Sequence, residues 1–235
     1  MSYFLTIFFI LSLSIFTNIQ AQQIEDKTDD HDKIVFDGPL STSHKLQLRL
    51  QVSKNDPSNA FTKLILLKNS VEVFKLENLQ GTQLDKLSLP KNVEKVQNLF
   101  ALLPLGPKIK QKVLILMEDQ GVGDGSKLTM ISINDTAPTI LYSENIKITE
   151  IRDINKDGLY DLLKSGGFGE PIGPDNYSYD PYLVFKQINK NQSITFNIDE
   201  KLSKKWSKES NYRWWGPQYN ESKRVNRHGE AIKVN

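Results

Sequence analysis

Three observations predict an all-β domain of short antiparallel strands with one short C-terminal helix. Apolar and polar residues alternate in many short segments, the period of a half-buried strand. Pro, Gly, Asn and Asp punctuate the chain between those segments at regular spacing, as in all-β folds. One stretch near the C-terminus carries a helix cap followed by apolar residues at helical spacing.

The elements follow in order. Leu46-Gln-Leu-Arg-Leu-Gln-Val52 alternates strictly, Asn55-Asp-Pro-Ser58 supplies a turn, and Phe61–Leu67 returns. Val71–Leu76, after Lys68-Asn-Ser70, completes an antiparallel meander. Val93–Leu103 reads two ways. Val93, Val96, Leu99, Phe100 and Leu103 fit one helix face, while Pro90, Pro104 and Pro107 keep any such helix short. Val113-Leu-Ile-Leu-Met117 is a buried-strand run that enters an acidic, glycine-rich turn, Glu118–Gly125. Lys127–Ile133, Thr139–Tyr142, Ile146–Ile151 and Leu159–Leu163 continue the strand pattern, and Tyr182–Ile188 and Ser193–Ile198 finish it. Ile198–Trp206 is the helix: Asp199 can cap it, and Leu202 and Trp206 form an i,i+4 apolar pair.

Residues 1–21 carry no charged side chain. The apolar run Tyr3–Phe16 leads to the small Ala21, the pattern of a secretory signal peptide. Its apolar core is shorter than the ~20 residues a membrane-spanning helix needs. Export to the periplasm or beyond is therefore expected, with no transmembrane segment in the mature chain. Residues 22–33 read as a flexible polar spacer, 34–223 as one β-rich domain, and 224–235 as a basic tail. With no cysteine, such a domain must be held by core burial, aided or not by a metal.

The net charge of +2 hides an asymmetry. Twelve acids face five bases from Glu118 to Asp180, and nine bases face three acids from Lys201 to Asn235. A basic end can serve nucleic acid or membrane contact, but export argues against nucleic acid. An intramolecular match with the acidic middle, or plain solvated surface, explains the numbers equally well.

Catalytic signatures are missing. A cysteine nucleophile is impossible, and His31, His44 and His228 lie in or near the ends, a poor basis for a triad or a zinc site. Ser88-Leu-Pro-Lys91 lacks the companion motifs of its class. Glu118, Asp119, Glu144, Glu150 and Glu170 could supply a glycosidase pair, but no spacing selects two of them. The chain is expected not to be an enzyme. All three tryptophans, Trp206, Trp214 and Trp215, lie near Tyr212 and Tyr219. They form either a hydrophobic latch closing the sheets, the commoner use, or a platform for a sugar or protein partner. Gly166–Gly173 and Asp175–Asp180 read as a long Gly/Pro/Tyr-rich loop that either carries function or is tied down by Tyr177, Tyr179 and Tyr182.

The most specific pattern is Asp153-Ile-Asn-Lys-Asp-Gly-Leu-Tyr-Asp161. Side-chain oxygens stand at loop positions one, three, five and nine, with glycine at the turn. That all-oxygen set suits Ca²⁺, which takes about 6–8 oxygen ligands in flexible geometry. Asp153, Asn155, Asp157 and Asp161 would coordinate by side chain, Leu159 by its carbonyl. The alternative is an Asx-rich turn without an ion. An EF-hand is excluded, because its bidentate Glu at position twelve is here Lys164 and the flanks read as strands.

A strand, an Asp-x-Asn-x-Asp-Gly-x-x-Asp loop and a strand resemble the FG-GAP or VCBS-type calcium-binding repeat, a blade of integrin-α-like β-propellers. The resemblance covers roughly residues 113–186, and its specific part is the nine-residue loop. It implies antiparallel blade-like sheets, in a partial β-propeller or sandwich-like arrangement, and a structural Ca²⁺ at Asp153, Asn155, Asp157, Leu159 and Asp161. The function expected from this is an exported module that recognises a protein or glycan. An exported glycan hydrolase and a periplasmic inhibitor or immunity-type protein are the alternatives.

Overall fold

The computed structural model describes residues 32–40, 46–91, 93, 95–119, 126–133, 137–166, 169–190 and 193–232. The expected signal peptide, most of the 22–33 spacer, the Gly121–Gly125 turn, His31 and His44 lie outside these residues. Among these residues the architecture is all-β with one helix, and every named strand pairs antiparallel in sheets, none closed into a barrel.

The first sheet is a meander of β1 (Lys33–Pro39), β2 (Leu46–Val52), β3 (Lys63–Lys68) and β4 (Val71–Leu76). The alternation in β2 aims Leu46, Leu48 and Leu50 at one buried face. The second sheet contains β6 (Lys95–Val96), β7 (Phe100–Pro104), β8 (Lys112–Asp119), β9 (Ser126–Ser132) and β10 (Ile140–Asn145) in sequence order, and β5 (Gly81–Thr82) also pairs with β8. The third sheet runs β11 (Glu150–Arg152), β12 (Asp161–Lys164), β15 (Leu183–Lys190), β16 (Ser193–Ile198). A small fourth sheet joins β13 (Pro171–Gly173), β14 (Asn176–Tyr179) and β17 (Asn220–Val225).

The second sheet is the middle layer. Leu114 and Leu116 of β8 pack with Leu48, Leu50, Leu64 and Leu66 of the first sheet. Val113, Ile115 and Met117, on the opposite face, pack with Ile151, Leu162 and Phe185 of the third. A strand buried on both faces has no polar side, so β8 is continuously apolar where β2 alternates. Each fully buried Leu or Ile here contributes roughly 1.5–3 kcal/mol.

Several expectations are corrected. The ambiguous 93–103 stretch is a β-hairpin: Lys95 pairs with Ala101 and Val96 with Phe100 around Gln97 and Asn98, both at positive φ. Its apparent helical spacing arises because the turn shifts the apolar phase between two short strands. In Ile146–Ile151 only Glu150 and Ile151 are strand, and the return strand begins at Asp161, not Leu159. The Gly/Pro/Tyr-rich stretch is not an open loop, because β13 and β14 lie inside it and β14 pairs with β17. Gly169 permits this: a Cβ there would stand 1.9 Å from the Ser178 carbonyl oxygen. β17 also crosses the boundary expected at 223/224, and Val225 bridges Ala231, so the described part of the basic tail is packed.

The helix, α1 (Glu200–Glu209), forms as expected. The Asp199 carboxylate accepts from Leu202 N–H at 2.9 Å. Ser203, fully buried, seats it on the third sheet by accepting from Val184 N–H at 2.9 Å.

Candidate functional site

The Asp153–Asp161 stretch connects β11 to β12 as a hairpin, with Arg152 opposite Asp161. Lys156 (φ 63°) and Gly158 (φ 89°) make its tight turn. Every sequence-predicted side chain in it is drawn inward onto the loop's own N–H groups. Asp153 Oδ2 accepts from Gly158 N–H at 3.1 Å, Asn155 Oδ1 from Asp157 N–H at 2.8 Å, and Asp157 Oδ1 from Leu159 N–H at 3.0 Å. Asp161, fully buried, accepts from Ile154 N–H at 3.1 Å and from Gln187 N–H on β15 at 3.3 Å. Burial pushes the Asp161 carboxyl above the usual carboxylate range. For Asp157 burial also acts upward, but hydrogen bonds from Lys186 and Leu159 outweigh it and hold the group low.

Lys186 is the residue that sequence reasoning missed. Its ammonium lies 3.0 Å from Asp157 Oδ2. Its place in the alternating Tyr182–Ile188 pattern marks it as a polar-face residue, but the strand pairing that brings β15 beside β12 is non-local. The loop is also docked on the β7–β8 connection: Tyr160 N–H donates to the Leu105 carbonyl at 3.2 Å, and Gly106 lies against Gly158.

The donor set is all oxygen, as a hard cation requires. Asp153 Oδ1 is buried with no hydrogen-bond partner, an uncompensated acceptor. The residues present therefore fit Ca²⁺ in donor type. Among the described residues no three carboxylate, imidazole or thiol groups stand together as a ready-made cage. In this arrangement the charge on Asp157 is balanced by Lys186 and by N–H groups.

The aromatic residues do not share one surface. Trp206 on α1 lies under the Arg152 guanidinium, 4.5 Å from its ring centre. Tyr212 is buried, stacked on Tyr179 at 5.9 Å and edge-on to Tyr182 at 5.6 Å. Its hydroxyl accepts from Asp180 N–H at 3.3 Å, and burial raises its ionisation to about 12, so it stays neutral. Trp214 packs against the large core between the second and third sheets. Trp215 is 40% exposed, but Arg213 and Lys223 lie over its ring at 4.3 and 3.7 Å, and its Nε1–H donates to the Gly229 carbonyl. Tyr179 ties the fourth sheet to this segment, donating to the Gly216 carbonyl and accepting from Trp215 N–H.

Two of the carboxylates considered for catalysis are held in ion pairs. Glu118, buried, meets Lys127 across β8 and β9 at 2.9 Å, and Glu150 meets Arg152 at 3.1 Å. No described helix is long and apolar enough to cross a membrane. Comparison of the chain with protein-family models, with curated proteins and with solved structures finds no match.

Proposed function

We propose that this protein is an exported recognition module for a protein or glycan, built on stacked antiparallel sheets and stiffened by one structural Ca²⁺ at the 153–161 loop. The observation that carries the reading is the loop itself: an all-oxygen Asp-x-Asn-x-Asp-Gly-x-x-Asp hairpin containing the buried, unpartnered Asp153 Oδ1. Asp153, Asn155, Asp157 and Asp161 would hold the ion by side chain and Leu159 by its carbonyl. A bound Ca²⁺ would supply positive charge that offsets the repulsion of Asp153, Asp157 and Asp161 once they are drawn together. The loop sits on the Leu105–Gly106 corner and across from β15, so fixing it fixes the seam between the second and third sheets. Recognition, not chemistry, is the proposed role.

Titration of Ca²⁺ into metal-stripped protein by calorimetry, with the melting temperature followed in parallel, tests this. One site is expected. At a hundredfold excess over Kd the gain is ~2.7 kcal/mol, or roughly 5–10 °C for a chain of this size. Asp157→Ala, which also removes the Lys186 pair and the Leu159 N–H bond, should lose clearly more stability in calcium than in EGTA. Absence of both heat and shift, or equal loss in both buffers, reduces the loop to an ordinary Asx turn.

A further inference from the structure

A second feature lies at the C-terminal end of α1. There the chain leaves the helix through Asn211 and folds against the turn at 226–230. Arg213 N–H donates to the His228 carbonyl at 2.8 Å, and Asn226 Oδ1 accepts from the N–H groups of His228 and Glu230. Gly229 (φ 75°) allows the close approach, since a Cβ there would meet Arg213 backbone and the Tyr212 ring at 3.0 Å. Between helix end and turn is a recess of about 370 Å³, within the size range of small-ligand sites.

Its lining is amphipathic and strongly biased in charge. Half-buried Trp214 and buried Tyr212 line it, so Trp214 is the ring with area left to offer; Lys204, Lys208 and Arg213 supply three cations. One carboxylate, Glu230, is present, and it accepts from Asn226 Nδ2 at 3.0 Å. Among the described residues neither Lys204 nor Lys208 has a carboxylate partner, whereas the neighbouring Lys205 faces Glu209 at 3.8 Å. The Arg213 guanidinium carbon lies over the Trp215 ring, 4.3 Å from its centre. A guanidinium carries five N–H donors, so contact with one ring leaves others for hydrogen bonds to an anion.

We propose that this recess binds an acidic oligosaccharide, with carboxylate or sulfate groups on Lys204, Lys208 and Arg213 and a sugar ring against Trp214. The proposal deepens the recognition reading above and rests on it. A neutral sugar stacked on a bare aromatic face does not suit Trp215, whose ring already carries two cations. A purely acidic peptide would satisfy the charges but bring no ring to Trp214.

The test measures binding of the full protein to four probes by calorimetry: oligogalacturonate, a sulfated heparin oligosaccharide, maltohexaose and hexaglutamate. Either or both acidic sugars should bind, identifying carboxylate or sulfate as the recognised group. Lys208→Glu should weaken that binding about tenfold or more, and Lys112→Glu, the same charge change on β8, should leave it within twofold. Arg213→Gln provides a second variant with the smaller charge change, should Lys208→Glu not fold. Equal weakening by Lys208→Glu and Lys112→Glu overturns the proposal in favour of diffuse attraction. Hexaglutamate bound as tightly as the acidic sugars overturns the sugar assignment. Binding of maltohexaose alone, or of an acidic sugar undiminished in Lys208→Glu, overturns the recess but leaves the recognition reading standing. Binding of none of the four overturns the recess and removes the glycan half of that reading as well.

Discussion

Gly106 shows how one residue without a side chain can set the position of a loop fifty residues away. A Cβ at this position would stand 2.1 Å from the Gly158 carbonyl oxygen, a contact with backbone that no rotamer change relieves. Gly106→Ala must therefore push the β7–β8 corner and the 153–161 loop apart. The expected cost is about 1–3 kcal/mol, the usual range for overpacking, read from urea denaturation. A loss under ~0.5 kcal/mol, within the range of an ordinary surface substitution, would show that the loop does not bear on this corner. At the same scale, Lys186 and Asp157 illustrate a pairing that no local pattern announces. Their ion pair is made by strands that meet only because β12 and β15 pair.

At the scale of elements, α1 depends on two different hydrogen bonds. Asp199 caps its first turn, a local matter of one side chain and the N–H three residues on. Ser203 acts between elements: its hydroxyl donates to the Asp199 carbonyl at 2.7 Å and accepts from Val184 N–H at 2.9 Å. Removing that oxygen leaves a buried N–H of β15 without a partner. Ser203→Ala should thus destabilise by about 1–3 kcal/mol, more than its small volume change implies. Ser203→Cys, with a weak acceptor of similar shape, should recover part of the loss. Equal midpoints for Ser203→Ala and the parent protein in denaturant would mean that water replaces the hydroxyl. The fourth sheet is a contrasting case. Its strands are short, and it is held by Tyr179, Tyr182, Tyr212 and Val225 drawn from two distant segments.

Across the whole molecule, β8 is the strand through which the layers communicate. Leu114, fully buried, belongs to the core shared with the first sheet, and Ile115 to the core shared with the third. Leu114→Ala should cost about 2–5 kcal/mol, because a middle layer packed on both faces cannot collapse freely into the cavity. Guanidinium denaturation followed by tryptophan fluorescence and by far-UV circular dichroism checks this. All three tryptophans lie in 206–215, on or beyond the third sheet, so the fluorescence reports from that side. Coincident midpoints, both shifted by the substitution, are expected if the layers unfold together. A shift in circular dichroism alone would mean that the first sheet unfolds separately.

The sequence by itself determined what rests on short range. The alternation in Leu46–Val52, the apolar run at Val113–Met117 and the Asp199 cap each encode an element through the chain's own period or its immediate neighbours. The oxygen spacing of Asp153–Asp161 was equally legible, because a tight loop is defined within nine residues. The tertiary structure alone decided which faces meet. It placed β8 between two cores, turned the Gly/Pro/Tyr-rich stretch into two strands by supplying β17, and dispersed the three tryptophans that cluster in sequence. It also set Lys204, Lys208, Arg213 and His228 around one recess. The reason is physical. Local hydrogen bonding and side-chain period act over a few residues, whereas sheet partners and recess walls are chosen by burial between segments far apart in the chain.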